Sequence, residues 1–151
     1  MSLRSETHRF RLRRADWVRN GDALRQVRTR VFVEEQAVPS ELEWDDDDAR
    51  AVHLLAEDER SRPIGTARFI ETGQIGRMAV LPEWRGLGVG SALLREMLRI
   101  AEESRCPGPF LNAQVSALPF YQRMGFEPVG EPFDEAGIPH RRMILRGQPQ
   151  E

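Results

Sequence analysis

The chain has 151 residues, 22 basic against 24 acidic, and a formal net charge of −2. This length suits one domain spanning residues 1–151 with a core of its own, and the charge balance gives no reason to expect a nucleic acid or membrane surface as partner. Every lysine-or-arginine position is arginine, which excludes lysine chemistry such as a Schiff base, while the single cysteine excludes an internal disulfide and suits a reducing, cytoplasmic setting.

No long apolar run occurs, so neither a signal peptide nor a membrane span is expected. His8 to Arg14 alternates around Phe10 and Leu12, a first strand with one buried face. Asn20-Gly21-Asp22 reads as a stop followed by a helix N-cap. From Ala23, Leu24, Val27 and Val31 recur at helical spacing, and the helix should end near Gln36, ahead of Pro39. Residues 38–50 read as a polar loop. Its run Asp45-Asp46-Asp47-Asp48 is expected in solvent, with an acidic lip for a cationic amine as the functional alternative. The run lacks the loop glycine and terminal Glu of an EF-hand, so calcium is not expected, and no other metal site is.

Residues 51–57 and 63–70 form a hairpin across Glu59-Arg60-Ser61-Arg62, and Thr72-Gly73 turns into a strand beginning near Ile75. After Gly90, Leu93, Leu94, Met97, Leu98 and Ala101 share a helix face opposite Arg95, Glu96, Arg99, Glu102 and Glu103. Phe110 to Val115 is a further strand. Ser116 to Met124 is a short helix with Gly125 as its C-cap. Phe126–Val129 and His140–Leu145 pair across a Gly/Pro-rich loop, and the tail from Gly147 should fray. The order β-α-β-β-β-α-β-α-β-β specifies an α/β domain, layered in the α+β manner, with a mixed sheet.

The chemically distinctive stretch is Arg85-Gly86-Leu87-Gly88-Val89-Gly90-Ser91. Glycines there let the backbone curl tightly, exposing N–H groups at a helix start where unpaired donors and the helix dipole favour a phosphate. Arg85 adds a forked cation suited to phosphate oxygens. The plainer alternative is a Gly-rich helix entry with its Arg in solvent. A Walker loop needs a Lys that the chain lacks, and the glycines are one residue short of a G-x-G-x-x-G dinucleotide fingerprint.

The pattern that does match is R-x-x-G-x-G, on Arg85, Gly88 and Gly90, and it resembles the signature of the GNAT superfamily of acyl-CoA-dependent N-acetyltransferases. Phe120-Tyr121-Gln122-Arg123-Met124-Gly125-Phe126 is similar to that superfamily's F-Y-x-x-x-G-F. Several further segments resemble the ElaA-like branch: residues 28–36 and 38–43, His53, Leu111-Asn112-Ala113-Gln114, and Gly137-Ile138-Pro139-His140-Arg141-Arg142-Met143. The likeness spans roughly residues 10–145.

The resemblance implies a mostly antiparallel sheet, flanked by helices, whose fourth and fifth strands splay apart. Acetyl-CoA would be the co-substrate. The backbone of Arg85, Gly86, Leu87, Gly88, Val89, Gly90 and Ser91 would hold its pyrophosphate, and Met78, Ala79 and Val80 would line the pantetheine. A peptide N–H near Met78 would polarise the thioester, with Asn112 and Phe120 facing the cofactor. Tyr121 would be the general acid; with a phenol near 10 and a thiol near 8.5, full proton transfer is uphill by about 2 kcal/mol. Tyr121 could alternatively only pack on Phe120 and Phe126. Deprotonating an alkylamine at neutral pH costs about 4 to 5 kcal/mol, so a base is needed. Glu34 and Glu35 lead the candidates, with Glu71, His53 and His140 behind them. Cys106, with no activating His nearby, is incidental. The expected activity is acetyl transfer to a primary amine of a small acceptor. A non-catalytic acyl-CoA-binding module and a purely structural protein are the rival readings. Homodimerisation, common in the superfamily, is compatible with the chain.

Overall fold

A computed structural model describes residues 9–147. β1 (Phe10–Ala15) leads into α1 (Trp17–Arg28), which continues as a π-helical stretch, Thr29–Glu35. A single-turn helix α2 (Ser40–Glu43) and a 3-10 turn (Asp46–Ala49) carry the acidic run to β2 (Val52–Asp58), β3 (Pro63–Phe69) and β4 (Gln74–Val80). Then come α3 (Val89–Glu103), β5 (Phe110–Gln114), α4 (Leu118–Arg123), β6 (Phe126–Glu135) and β7 (Ile138–Leu145). All strands join one seven-stranded sheet in the order β1-β2-β3-β4-β5-β7-β6. Every neighbouring pair is antiparallel except β4 with β5. This is the mixed, mostly antiparallel layered sheet expected from the sequence. His8, placed at the head of the first strand, and the tail beyond Gly147 lie outside the described residues.

β2 and β3 are buried along nearly their whole length, because α1 packs on one face of the sheet and α3 on the other. Leu24, Val27 and Val31 come from the first helix; Leu93, Leu94, Met97, Ile100 and Ala101 come from α3. Each large side chain so enclosed contributes about 1.5 to 3 kcal/mol.

Three sequence expectations are corrected. Asn20-Gly21-Asp22 is not a stop: α1 begins at Trp17, and the Asp16 carboxylate caps it by accepting from the N–H groups of Val18 and Arg19, both at 2.9 Å. Asn20 Oδ1 closes the cap by accepting from Asp16 N at 2.8 Å. Gly21 lies inside the helix, where the Arg25 guanidinium folds over it and rests on the Trp17 ring at 4.4 Å. The last hairpin is also longer than Phe126–Val129 with His140–Leu145. Its strands run to Glu135 and from Ile138, past a register shift between Val129 and Phe133, and turn on Ala136 and Gly137, both at positive φ. The Gly/Pro-rich stretch after Val129 reads as a loop, but its Pro132 lies on the edge strand β6, where proline is tolerated.

The third correction concerns the acidic run. Asp48 and Glu43 are buried, at 1% and 3% exposure, beside Arg28 at 1% and Arg68 at 5%. Arg28 donates to Glu43 Oε2 and Asp48 Oδ1, both at 2.8 Å, and Arg68 Nη1 donates to Asp45 Oδ1 at 2.7 Å and Asp48 Oδ1 at 3.0 Å. Arg77 Nε lies 3.1 Å from Glu43 Oε2, and its Nη2 donates to Asp45 Oδ2 at 3.2 Å. Three guanidinium groups thus meet three carboxylates, and Glu43 and Asp48 are spent inside the protein, while Asp46 stays exposed and Asp47 half-exposed as expected of a solvated run. The Arg28 guanidinium also lies over the Trp44 ring at 5.0 Å.

Burial raises Asp48, but the bonds from Arg28, the Asp45 N–H and Arg68 together outweigh it and hold the carboxyl below the usual aspartate range. A depressed folded value stabilises fully above the ordinary pKa of about 4 and loses that contribution as pH falls through the lowered value. Asp48→Asn should therefore cost about 3 kcal/mol at neutral pH, because it leaves Arg28 and Arg68 short of a buried counter-charge. Urea unfolding measures this, and a loss below about 0.5 kcal/mol would place the run among ordinary surface charges.

Candidate active site

Only two residue pairs join β4 to β5: Gln74 with Phe110 and Ile75 with Leu111. Beyond them the strands diverge. β5 stays with β7, pairing from Phe110–Ile144 to Gln114–His140, while β4 stays with β3. Leu81 N donates to Ile64 O of β3 at 2.9 Å, and Ala79 pairs with Thr66. Alternation along the strand then turns the backbone groups of Met78 and Val80 away from β3, into the gap. Ala79 itself is buried in the core.

At the open end β4 passes through a turn, Pro82–Trp84, to the glycine loop. Gly86 and Gly88 have φ of +76° and +89°, and a Cβ on either would meet nothing within 4 Å. Such a conformation is strained for other residues, and the space beside it is free for a ligand. The backbone N–H groups of residues 86–91 have no acceptor among the described residues. Val89, Gly90 and Ser91 form the first turn of α3, so these donors point along the positive end of a 15-residue helix. The loop thus fits a pyrophosphate.

Arg85 is already engaged. Its Nη1 and Nη2 donate to Glu35 Oε2 and Oε1 at 2.8 and 2.7 Å, and its Nε donates to Val80 O at 2.9 Å. These bonds use three of the five guanidinium N–H groups. The Arg85 hydrogen bonds lower the Glu35 pKa, against a smaller opposing effect of burial. Arg30 in turn donates to both oxygens of Glu83, at 2.9 and 3.1 Å. Two forked pairs of opposite polarity therefore tie the π-helical stretch to the loop. Glu34 is exposed on the same turn.

α4 brings Phe120 to the loop: its Cζ lies 3.5 Å from where a Cβ on Gly90 would stand, and Val80 Cγ2 lies 3.8 Å from that point. Tyr121 is 9% exposed and lies edge-on to Phe120 at 4.9 Å and Phe126 at 6.3 Å between ring centroids. Its hydroxyl bonds to no described residue. Burial pushes this phenol up to about 12, which widens its gap to a thiol near 8.5 to about 3.5 pKa units, or about 5 kcal/mol. The figure of about 2 kcal/mol drawn from the ordinary phenol value is corrected accordingly. Asn112 is half-buried on β5, between the core residues Leu111 and Ala113, and so faces the same side as Gln114. Gln114 Nε2 donates to Gln36 Oε1 at 2.8 Å, linking β5 to the end of the first helix.

The other base candidates lie elsewhere. His53 is buried, with Nε2 2.8 Å from Asp48 O and its ring stacked on Trp17 at 5.2 Å; burial lowers its pKa. His140 Nδ1 lies 2.7 Å from Ile138 O within the last hairpin. Glu71 is exposed in the turn before β4. Cys106 packs under Gly73, at the closed end of the gap. Thr66 and Arg77 escaped the sequence reading. Thr66 Oγ1 donates to Arg77 O at 3.0 Å, and Arg77 has φ +48° within β4. Their link is a cross-strand register, which no local motif encodes.

A sheet opened between two parallel strands, with a glycine loop and a helix start at its mouth, defines the acyl-CoA N-acyltransferase fold. The chain belongs to the GNAT acetyltransferase family: the family model described as an acetyltransferase (GNAT) domain matches residues 20–146. The Bacillus subtilis uncharacterized N-acetyltransferase YjcF is 36% identical over 122 residues, covering 78% of this chain and 86% of that protein. Escherichia coli ElaA is 36% identical over 126 residues, covering 78% and 82%. The crystal structure of E. coli ElaA superposes with a TM-score of 0.80 at 29% identity, covering 91% of this chain and 99% of that one. An acyl-CoA N-acyltransferase from Pseudomonas aeruginosa superposes with a TM-score of 0.79 at 30% identity, covering 90% and 99%. Among the described residues no helix is long and apolar enough to cross a membrane.

Tyr121 is the only tyrosine in the chain, so tyrosinate absorbance in the near ultraviolet titrates this one side chain. A midpoint near 12 is expected for the folded protein, falling toward about 10 in denaturant. The folded state holds this proton more tightly, so the stability it adds is complete below about pH 10 and fades as pH rises toward the folded value. A folded midpoint near about 10 would show that the phenol is hydrated.

Proposed function

We propose that the protein transfers the acetyl group of acetyl-CoA directly to a primary amine of a small acceptor, in a cytoplasmic setting. The observation that carries this reading is continuity. The unpaired edge of β4 runs into the unpaired N–H groups of residues 86–91, and Tyr121 stands on the helix packed against that junction. A pyrophosphate at the loop and a pantetheine laid along β4 would put the thioester near Met78.

In this reading the backbone of residues 86–91 anchors the pyrophosphate; the Arg85 N–H, expected to join them, is spent on Pro82 O at 3.3 Å. Met78 and Val80 supply a strand edge for the pantetheine amides, with Asn112 and Phe120 bordering the channel; Ala79, expected among the contacts, instead turns its backbone to Thr66 of β3. The Met78 N–H donates to the thioester oxygen as negative charge develops there. The amine attacks the carbonyl carbon, the C–S bond breaks, and the Tyr121 hydroxyl donates to the leaving sulfur. With a phenol at about 12, Tyr121 acts chiefly by hydrogen-bonding the thiolate, which takes its final proton from solvent. Glu35, gripped by Arg85, is a poor proton acceptor and serves to position the loop; Glu34, free of that grip, is the carboxylate assigned to relay the ammonium proton through water. The only thiol, Cys106, packs at the far end of the gap, which supports direct transfer over an acyl-enzyme.

Release of CoA from acetyl-CoA over a panel of primary amines tests the reading. Tyr121→Phe should lower kcat by about a hundredfold, within the range for loss of a proton donor, with acetyl-CoA affinity by calorimetry changed less than about threefold. Tight acetyl-CoA binding without release for any amine would favour a binding module, and turnover untouched by the substitution would remove Tyr121 from the chemistry.

A further inference from the structure

Arg77 has no part in the chemistry above, yet it adopts a backbone conformation disfavoured for any residue with a Cβ, φ +48°. It stands where β4 slips against β3. Thr66 pairs with Ala79 and Arg68 with Gly76, so Arg77 and Met78 share a bulge opposite Ala67. A bulge of this kind re-aims the backbone beside it and persists only where its surroundings impose it.

The surroundings are specific. The Arg77 guanidinium donates to Glu43 O from Nε at 3.3 Å and from Nη2 at 3.1 Å, and from Nη2 to Asp45 Oδ2 at 3.2 Å. It also pairs with Glu43 Oε2 at 3.1 Å. Glu43 and Asp45 are themselves fixed by Arg28 and Arg68. On the backbone, the Arg77 carbonyl accepts from the buried Thr66 hydroxyl at 3.0 Å. No described peptide bond is cis. In a trans peptide the carbonyl and the following N–H point opposite ways. Holding Arg77 O toward Thr66 therefore turns the Met78 N–H away from β3, into the gap between β4 and β5.

We propose that Arg77 and Thr66 are positioning residues: the acidic segment grips the Arg77 side chain, Thr66 grips its carbonyl, and together they aim the Met78 N–H at the thioester oxygen. This rests on the acetyl-transfer reading for its catalytic consequence. It also gives the acidic segment a task other than attracting an amine, since the carboxylates of Glu43, Asp45 and Asp48 are already bound to arginine.

Three variants and two readouts test it. Arg77→Gly tolerates the positive φ but releases the grip. Thr66→Val keeps the shape and removes the hydroxyl, and remains informative if the glycine variant folds poorly. Arg77→Lys keeps a cation opposite Asp45. In the nitrogen-15 spectrum of the wild type, the Met78 amide should shift more with acetyl-CoA than with CoA, because only the former carries the thioester oxygen. That difference should shrink in Arg77→Gly and Thr66→Val. Both should lose about tenfold or more in kcat, as expected for a misdirected oxyanion donor, with KM for acetyl-CoA within about threefold, and Arg77→Lys, which keeps the charge but not the fork, should recover only part of the loss. Unchanged kcat with an unchanged Met78 response, or a loss confined to KM, overturns the assignment. Should the wild type release no CoA with any amine, the acetyl-transfer reading fails on its own. The Met78 response to acetyl-CoA still decides the positioning role, and an indifferent Met78 in the wild type overturns it.

Discussion

The gap between β4 and β5 is the constraint on which the rest of the structure depends. A sheet gains by pairing every backbone group, and unpaired N–H and C=O groups inside a fold are costly unless something else satisfies them. Here the parallel ladder ends after Ile75 and Leu111, in the middle of a seven-stranded sheet. Each strand is committed elsewhere: β5 to its antiparallel partner β7, and β4 to β3 through a bulge centred on Arg77. Sheet edges are usually kept short, charged or covered because they invite pairing with another chain. This edge is internal, lying between two strands of one sheet rather than at its rim.

Arginine performs the fastening throughout, and its geometry suits it to these positions. A planar guanidinium can bind a carboxylate with two parallel hydrogen bonds and still donate to a carbonyl. Arg85 does this, joining Glu35 to Val80 O across the mouth of the gap. Arg30 and Glu83 repeat the arrangement with the polarity reversed. Such half-exposed pairs contribute little stability individually. Their value is geometric, because they set the π-helical end of the first helix against the loop that precedes α3. The buried set around Arg28, Glu43, Asp48 and Arg68 is different in kind. With so little water present each charge depends on its partners, and removing one leaves another exposed to a low dielectric.

Burial also divides the titratable groups by task. His53 is enclosed against Trp17 and bound to a carbonyl, so it is spent on structure. Tyr121 is enclosed by aromatic rings with its hydroxyl unbonded to any described group, so it keeps its proton. Desolvation that raises the phenol also strengthens any hydrogen bond it makes to a developing charge. The candidate acid is therefore better suited to stabilising a thiolate than to transferring a proton outright.

The local patterns in this chain determined a good deal. Alternation around Phe10 and Leu12 in β1, the helical spacing of Leu93 to Ala101, the glycines at 86 and 88 and the Phe120–Phe126 motif each act over a few residues, so the strand and helix order and the loop were legible directly. Asp16 was missed as the cap because Asn20-Gly21 looks like a stop until Arg25 is seen lying on Trp17. Asp48, at the end of the aspartate run, looked solvated because its partners, Arg28 and Arg68, lie many residues away. Only the tertiary structure decided that these charges meet in the interior, that Arg85 is held by Glu35, and that Thr66 orients the peptide before Met78. Those outcomes depend on strand register and on which distant side chains burial brings together, and neither is written in any local period of the sequence.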